Sequence, residues 1–87
     1  MNHAWVYVLE GNDNRLYVGS TRQLQERLES HKMGRVRSTK GRRPVRLVHQ
    51  EEYDTYTEAR RRELYLKTGT GRNWLSRILE TRQETKD

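Results

Sequence analysis

The chain has 87 residues, 31% of them hydrophobic, with 18 Lys and Arg against 12 Asp and Glu and a formal charge of +6. One domain is what that length accommodates. The absence of cysteine excludes a disulfide framework, a thiolate zinc site and a cysteine nucleophile, in keeping with a reducing, cytoplasmic setting. No run approaches the ~18 apolar residues of a membrane span, and MNHAWVYVLE at the start reads as a strand, not as a secretion signal.

AWVYVLE, residues 4–10, is rich in β-branched and aromatic residues and predicts the first strand. GNDN, residues 11–14, is turn chemistry, and RLYVG, residues 15–19, is the returning strand. Ser20 with Gln23 has capping-box spacing and predicts a helix to about Met33, with Gly34 as its stop. GRVRSTKGRRP, residues 34–44, reads as a loop. VRLVHQEE, residues 45–52, is a third strand. Thr55 and Glu58 form a second capping box, opening a helix to about Lys67. TGTG, residues 68–71, breaks it; with no lysine or P-loop spacing it reads as a connector. A third helix follows from about Arg72 to Thr81, with Trp74, Leu75, Ile78 and Leu79 as its apolar stripe. The expectation is an α+β fold, a small three-stranded antiparallel sheet flanked by helices in the order β-β-α-β-α-α. Residues 1–80 form one domain and 81–87 a polar tail.

Charge is unevenly distributed. Between Lys32 and Arg46 lie seven cations (Lys32, Arg35, Arg37, Lys40, Arg42, Arg43 and Arg46) and no acid. Such a patch points first to nucleic acid. On the first helix, Leu24 and Leu28 define the buried stripe, and Arg27 and His31 share the flank facing the sheet. On the second, Glu63 projects on the face of Tyr56, Ala59 and Leu66, where an acid is costly unless paired or metal-bound. By position alone it reads first as one half of a salt bridge to an arginine. In the hairpin, an odd-numbered connection makes Tyr7 and Tyr17 direct cross-strand neighbours, and a four-residue one places them on opposite faces. By themselves, two paired tyrosines read as ordinary packing with hydroxyls at the rim.

Together these residues resemble the GIY-YIG nuclease domain. Tyr17-Val18-Gly19 is close to the family's second triplet, and Trp5-Val6-Tyr7 keeps the tyrosine of the first. Arg27, in QLQERLESH, lies ten residues past Tyr17 and matches the family's helix arginine, with His31 one turn later. KGRRPVRLVH, residues 40–49, resembles the stretch leading into the third strand. TEARRRELYLK, residues 57–67, resembles the segment carrying the metal-binding glutamate, which falls on Glu63. The resemblance covers roughly residues 4–75.

It implies metal-dependent hydrolysis of a nucleic-acid phosphodiester, DNA before RNA, in repair or recombination. Glu63 holds Mg²⁺ (or Mn²⁺), and Tyr17 takes the proton from the attacking water. A phenol ionises near ~10, so a cation must favour its phenolate. Arg27 fills that role and neutralises charge at phosphorus. Tyr7 positions the water or the phosphate oxygens. His31 shares proton transfer or orients Tyr17, unless it is simply a satisfied helix histidine. Lys40, Arg42 and Arg43 contact backbone phosphates. A further binding domain does not fit in 87 residues, so the expectation is action with low sequence preference, a homodimer, or targeting borrowed from a protein partner. The alternatives are a catalytically inactive nucleic-acid-binding module of the same fold and an adaptor gripping an acidic protein.

Overall fold

The computed structural model describes residues 3–84, with side chains through Thr81. Its elements are β1 (Ala4–Glu10), β2 (Leu16–Thr21), α1 (Leu24–Lys32), α2 (Arg37–Lys40), β3 (Arg46–Tyr53), α3 (Tyr56–Leu66) and α4 (Gly69–Glu84). The sheet is antiparallel with strand order β2-β1-β3. This is the expected α+β architecture, with one addition: a single-turn helix, α2, inside the basic segment.

β1 is the central strand, and Val6 through Leu9 are buried in succession because each of its faces is covered. Val6 and Val8 face α3 and α4, in a core with Val18, Ala59, Leu66 and Leu75. Tyr7 and Leu9 face α1 and pack on Leu24 and Leu28. Each fully buried aliphatic side chain contributes about 1.5–3 kcal/mol. Among the described residues no helix is long and apolar enough to cross a membrane.

The hairpin connection differs from expectation. Glu10 pairs with Leu16, so residues 11–15 form a five-residue connection that takes in Arg15. The Gly11 N–H donates to the Arg15 carbonyl at 3.0 Å, and the Asp13 carboxylate accepts from the Arg15 N–H at 3.1 Å. The odd number keeps Tyr7 and Tyr17 on one face, but Tyr7 pairs with Gly19 and Tyr17 with Leu9. The two tyrosines are therefore diagonal, not opposite. Gly19 is what admits this arrangement: a Cβ there would lie 2.5 Å from the Tyr7 hydroxyl. The YVG triplet thus needs its glycine because the Tyr7 ring lies across it.

The expected capping box at Ser20 does not form. Pairing with Trp5 and Val6 carries β2 through Thr21, and α1 starts at Leu24 with Gln23 as an N-cap that makes no side-chain cap bond. Gly34 stops α1 as expected, at φ 76°. Thr55 caps α3, accepting from the Glu58 N–H at 3.2 Å. TGTG does not break the chain for long: α4 begins at Gly69, three residues early, because the Thr68 hydroxyl accepts from the Gly71 N–H at 3.1 Å. Gly71 lets α4 meet the end of α3, since a Cβ there would lie 2.2 Å from the Tyr65 carbonyl oxygen. At the other end α4 continues to Glu84, into the segment expected as a polar tail. Residues 85–87 of that tail, and the first two residues of the expected domain, lie outside the described residues.

Candidate active site

The site forms along β2, which among the described residues pairs only with β1 and leaves its other edge free. Its residues alternate between the two faces of the sheet. Gly19 and Tyr17 face α1, and Ser20 faces α3.

On the α1 face, Tyr7, Tyr17, Arg27 and His31 come together. The Arg27 Nε–H donates to the Tyr7 hydroxyl at 3.3 Å. That hydroxyl lies 2.8 Å from His31 Nε2, and His31 Nδ1 lies 2.8 Å from the Thr39 hydroxyl. One proton arrangement satisfies every group: Arg27 donates to Tyr7, Tyr7 to Nε2, Nδ1–H to Thr39, and Thr39 to the Val36 carbonyl. The Tyr7 and Tyr17 ring centroids are 6.3 Å apart, and each ring meets the His31 ring edge-on.

Burial decides what these groups can do. Tyr7 is 1% exposed. Desolvation pushes its phenol up to about 12, against the pull of the Arg27 hydrogen bond. In this arrangement its hydroxyl is taken up by Arg27 and His31. His31 is fully buried. Desolvation, helped by the Arg27 charge, takes its imidazole down to about 4, so it is neutral at physiological pH and bridges Tyr7 and Thr39. Tyr17 is half-buried and borders the free edge. Hydrogen bonding to the Tyr7 phenol, first among several causes, keeps Arg27 charged, and Tyr17 adds to it.

Glu63 is on the other face of β2. It is 5% exposed. It accepts from the Ser20 hydroxyl in a very short hydrogen bond, from Lys67 Nζ at 2.6 Å and from Arg60 Nη1 at 2.8 Å. Burial alone would raise its carboxyl. The bonds from Lys67, Ser20 and Arg60 outweigh that and hold it below the ordinary carboxylate value. The structure therefore brings four of the expected residues together and sets Glu63 apart from them, on the far side of one strand.

The halves meet at the free edge. An open cavity of about 390 Å³ is lined by Ser20, Thr21, Arg22, Arg27 and Tyr56. Arg27 on its wall bonds Tyr7, and Ser20 on its wall bonds Glu63. The described residues hold no group of three His, Cys, Asp or Glu able to enclose a metal. A lone carboxylate beside a hydroxyl fits a hard, water-rich cation such as Mg²⁺, which is commonly held by one or two carboxylates.

The expected phosphate contacts fare unevenly. Arg42 is engaged within the fold: its Nη2 donates to the Arg15 carbonyl at 2.7 Å and its Nε pairs with Asp13 at 3.2 Å. Arg43 donates to the Lys40 carbonyl at 3.1 Å. Lys40 is exposed. Ser20, Thr39, Lys67 and Tyr56 were not among the expected site residues. Ser20 mimics a helix cap in sequence, and Thr39 is hidden in a run that reads as basic loop.

Residues 3–76 match the family described as the GIY-YIG catalytic domain. A UPF0213 protein of Staphylococcus aureus strain Mu3 is 41% identical over 81 residues, covering 92% of this chain and 99% of that one. The solution NMR structure of the UPF0213 protein BH0048 from Bacillus halodurans superposes with a TM-score of 0.56 at 30% identity, over 87% of this chain and 84% of that one. A hairpin carrying two tyrosines, an arginine on the following helix and a glutamate on a later one are thus found in a chain that matches over most of its length: it belongs to the GIY-YIG catalytic domain family, whose activity is of the nuclease type.

Proposed function

We propose that this protein is a divalent-metal-dependent endonuclease that hydrolyses phosphodiester bonds of nucleic acid, DNA first. The observation that carries this reading is the shared cavity, with Arg27 from the tyrosine cluster and Ser20 from the Glu63 cluster on one wall. A scissile phosphate placed there meets the guanidinium on one side and the carboxylate's neighbourhood on the other.

Glu63, with Ser20 beside it, would hold Mg²⁺ or Mn²⁺, and that ion would supply positive charge for the leaving 3′ oxygen. Lys67 and Arg60 are 45% and 48% exposed and swing away to release the carboxylate. Tyr17, at the free edge, takes the proton from the attacking water, and Arg27 stabilises both the phenolate and the charge on phosphorus. Tyr7 and His31 are positioning residues. They fix the Arg27 side chain through one chain of hydrogen bonds ending at Thr39.

The test is cleavage of single-stranded, duplex and branched DNA and of RNA with Mg²⁺, Mn²⁺ or EDTA. Glu63→Ala, Tyr17→Phe and Arg27→Ala should each lower cutting by about 10²-fold or more while circular dichroism is unchanged. Cutting that survives all three substitutions, or that persists in EDTA, overturns the proposal. The second reading, an inactive binding module, draws on the two cations already seated on Glu63. It predicts tight, salt-sensitive binding with no cleavage under any metal.

A further inference from the structure

A second cavity, about 420 Å³, opens on the same free edge at the other end of β2. Arg15, Tyr17, Lys67, Arg72 and Ser76 line it, with apolar residues behind. Among the described residues no acid is on its wall. The Arg15 and Arg72 side chains are exposed and carry no ion pair or hydrogen bond among the described residues, unlike Arg42, which is spent on the hairpin turn. β2 and α3 both run from one cavity to the other: Ser20 and Tyr56 line the first, Tyr17 and Lys67 the second. Glu63 lies between Tyr56 and Lys67 on α3.

We infer that this second cavity is a phosphate-binding site for the nucleic-acid strand flanking the cleaved bond, with Arg15 and Arg72 as its clamps. The inference rests on the nuclease reading above and adds the direction of the substrate: along the free edge of β2, not across the basic segment around α2. Arginine suits the role because its planar fork meets phosphate oxygens in pairs. A polyanion is the fitting ligand because cations line both ends of the edge, Arg22 and Arg27 at one and Arg15 and Arg72 at the other. From Arg15 to Arg22 the extended chain spans roughly 23 Å, about the axial length of seven nucleotides of one strand. A single small anion would fill one end only.

Binding of a 5′-fluorescein oligonucleotide in EDTA, followed by anisotropy, tests this apart from catalysis. The variant is Arg15→Gln/Arg72→Gln. Its control is Arg61→Gln/Arg77→Gln, which removes the same charge from exposed helix positions outside either cavity. Neither pair should move the melting temperature. At about 0.1 M salt the first should bind about ten-fold more weakly, with a salt slope shallower by roughly 1.4 for single strands or 1.8 for duplex, and the control should stay near wild type. Wild-type affinity should rise with length to about seven nucleotides, and the first variant should level off earlier. Equal losses in the two variants would mean general charge, and the inference falls. A wild type that cuts and binds while Arg15→Gln/Arg72→Gln binds as well overturns this site alone. A wild type that neither binds nor cuts, or that binds an acidic polypeptide instead, overturns the nuclease reading and this inference with it.

Discussion

Glu63 and Glu51 are two acids held by cations on neighbouring elements, and they are built for different ends. Glu51, on β3, accepts from His49 at 2.8 Å, from Tyr53 at 2.6 Å and from Arg62 at 2.9 and 3.3 Å. Its partners are themselves fixed. Arg62 lies 4.6 Å from the centre of the Trp74 ring, and the His49 ring meets Trp74 edge-on. Burial opposes the Glu51 charge, and the bonds from Arg62, His49 and Tyr53 restore it. Glu63 has similar support, but its two cations are half in solvent, and Ser20, which donates to it, lines an open cavity. What separates a structural clasp from a candidate ligand is how freely the partners can leave, not how many there are.

The comparison can be broken from either side. Glu63→Gln should reduce cutting by on the order of 10²–10³-fold, while the melting temperature moves by less than about 5 °C, because the lost partners are exposed. Glu51→Gln should do the reverse. It leaves Arg62 under-compensated and costs about 2–3 kcal/mol, which a thermal melt reads as a drop on the order of 10–20 °C, with cutting retained at low temperature. If Glu51→Gln melts like wild type, the clasp is not structural.

A smaller effect sharpens the tyrosine cluster. His31 ionises at about 4 in the fold against ~6.5 unfolded. The unfolded chain therefore binds more protons in this window, and stability is lost as pH falls. Between pH 6.5 and 5 the loss is about 1.5 kcal/mol. The groups facing the ring are Arg27, Tyr7, Tyr17 and Thr39, none of them acidic. His31→Gln should flatten the denaturation midpoint over that range. Acid loss below about pH 4.5 should persist, since Asp13, Glu51 and Glu63 all have lowered carboxyls. The smallest expected effect is Thr55→Ala, which removes the α3 cap for about 1 kcal/mol, seen as a lower midpoint in urea.

How much was legible depended on the range of the interaction that decides each feature. β1 could be read to the residue, and Thr55 with Glu58 announced α3, because alternation and capping are local. Ser20 with Gln23 offered the same local pattern, yet pairing with β1 drew Ser20 into the strand and gave its hydroxyl to Glu63. The Tyr7–Tyr17 offset followed from a turn that takes in Arg15, and residue spacing does not reveal where a turn closes. Arg27 and His31 were correctly placed on the sheet-facing flank of α1. Thr39, which ends their hydrogen-bond chain, was masked by the cations around it.

The free side of β2 has a consequence beyond substrate handling. An unpaired strand edge is a template on which a second copy can add a strand. Here an arginine stands at each end of that edge, and two such edges brought together repel. Ionic strength that screens this repulsion, or a saturating polyanion too short to span the edge, removes the guard. Light scattering should show self-association rising with salt in Arg15→Gln before it does in wild type, so the charges suited to holding substrate also keep the protein from zipping onto itself.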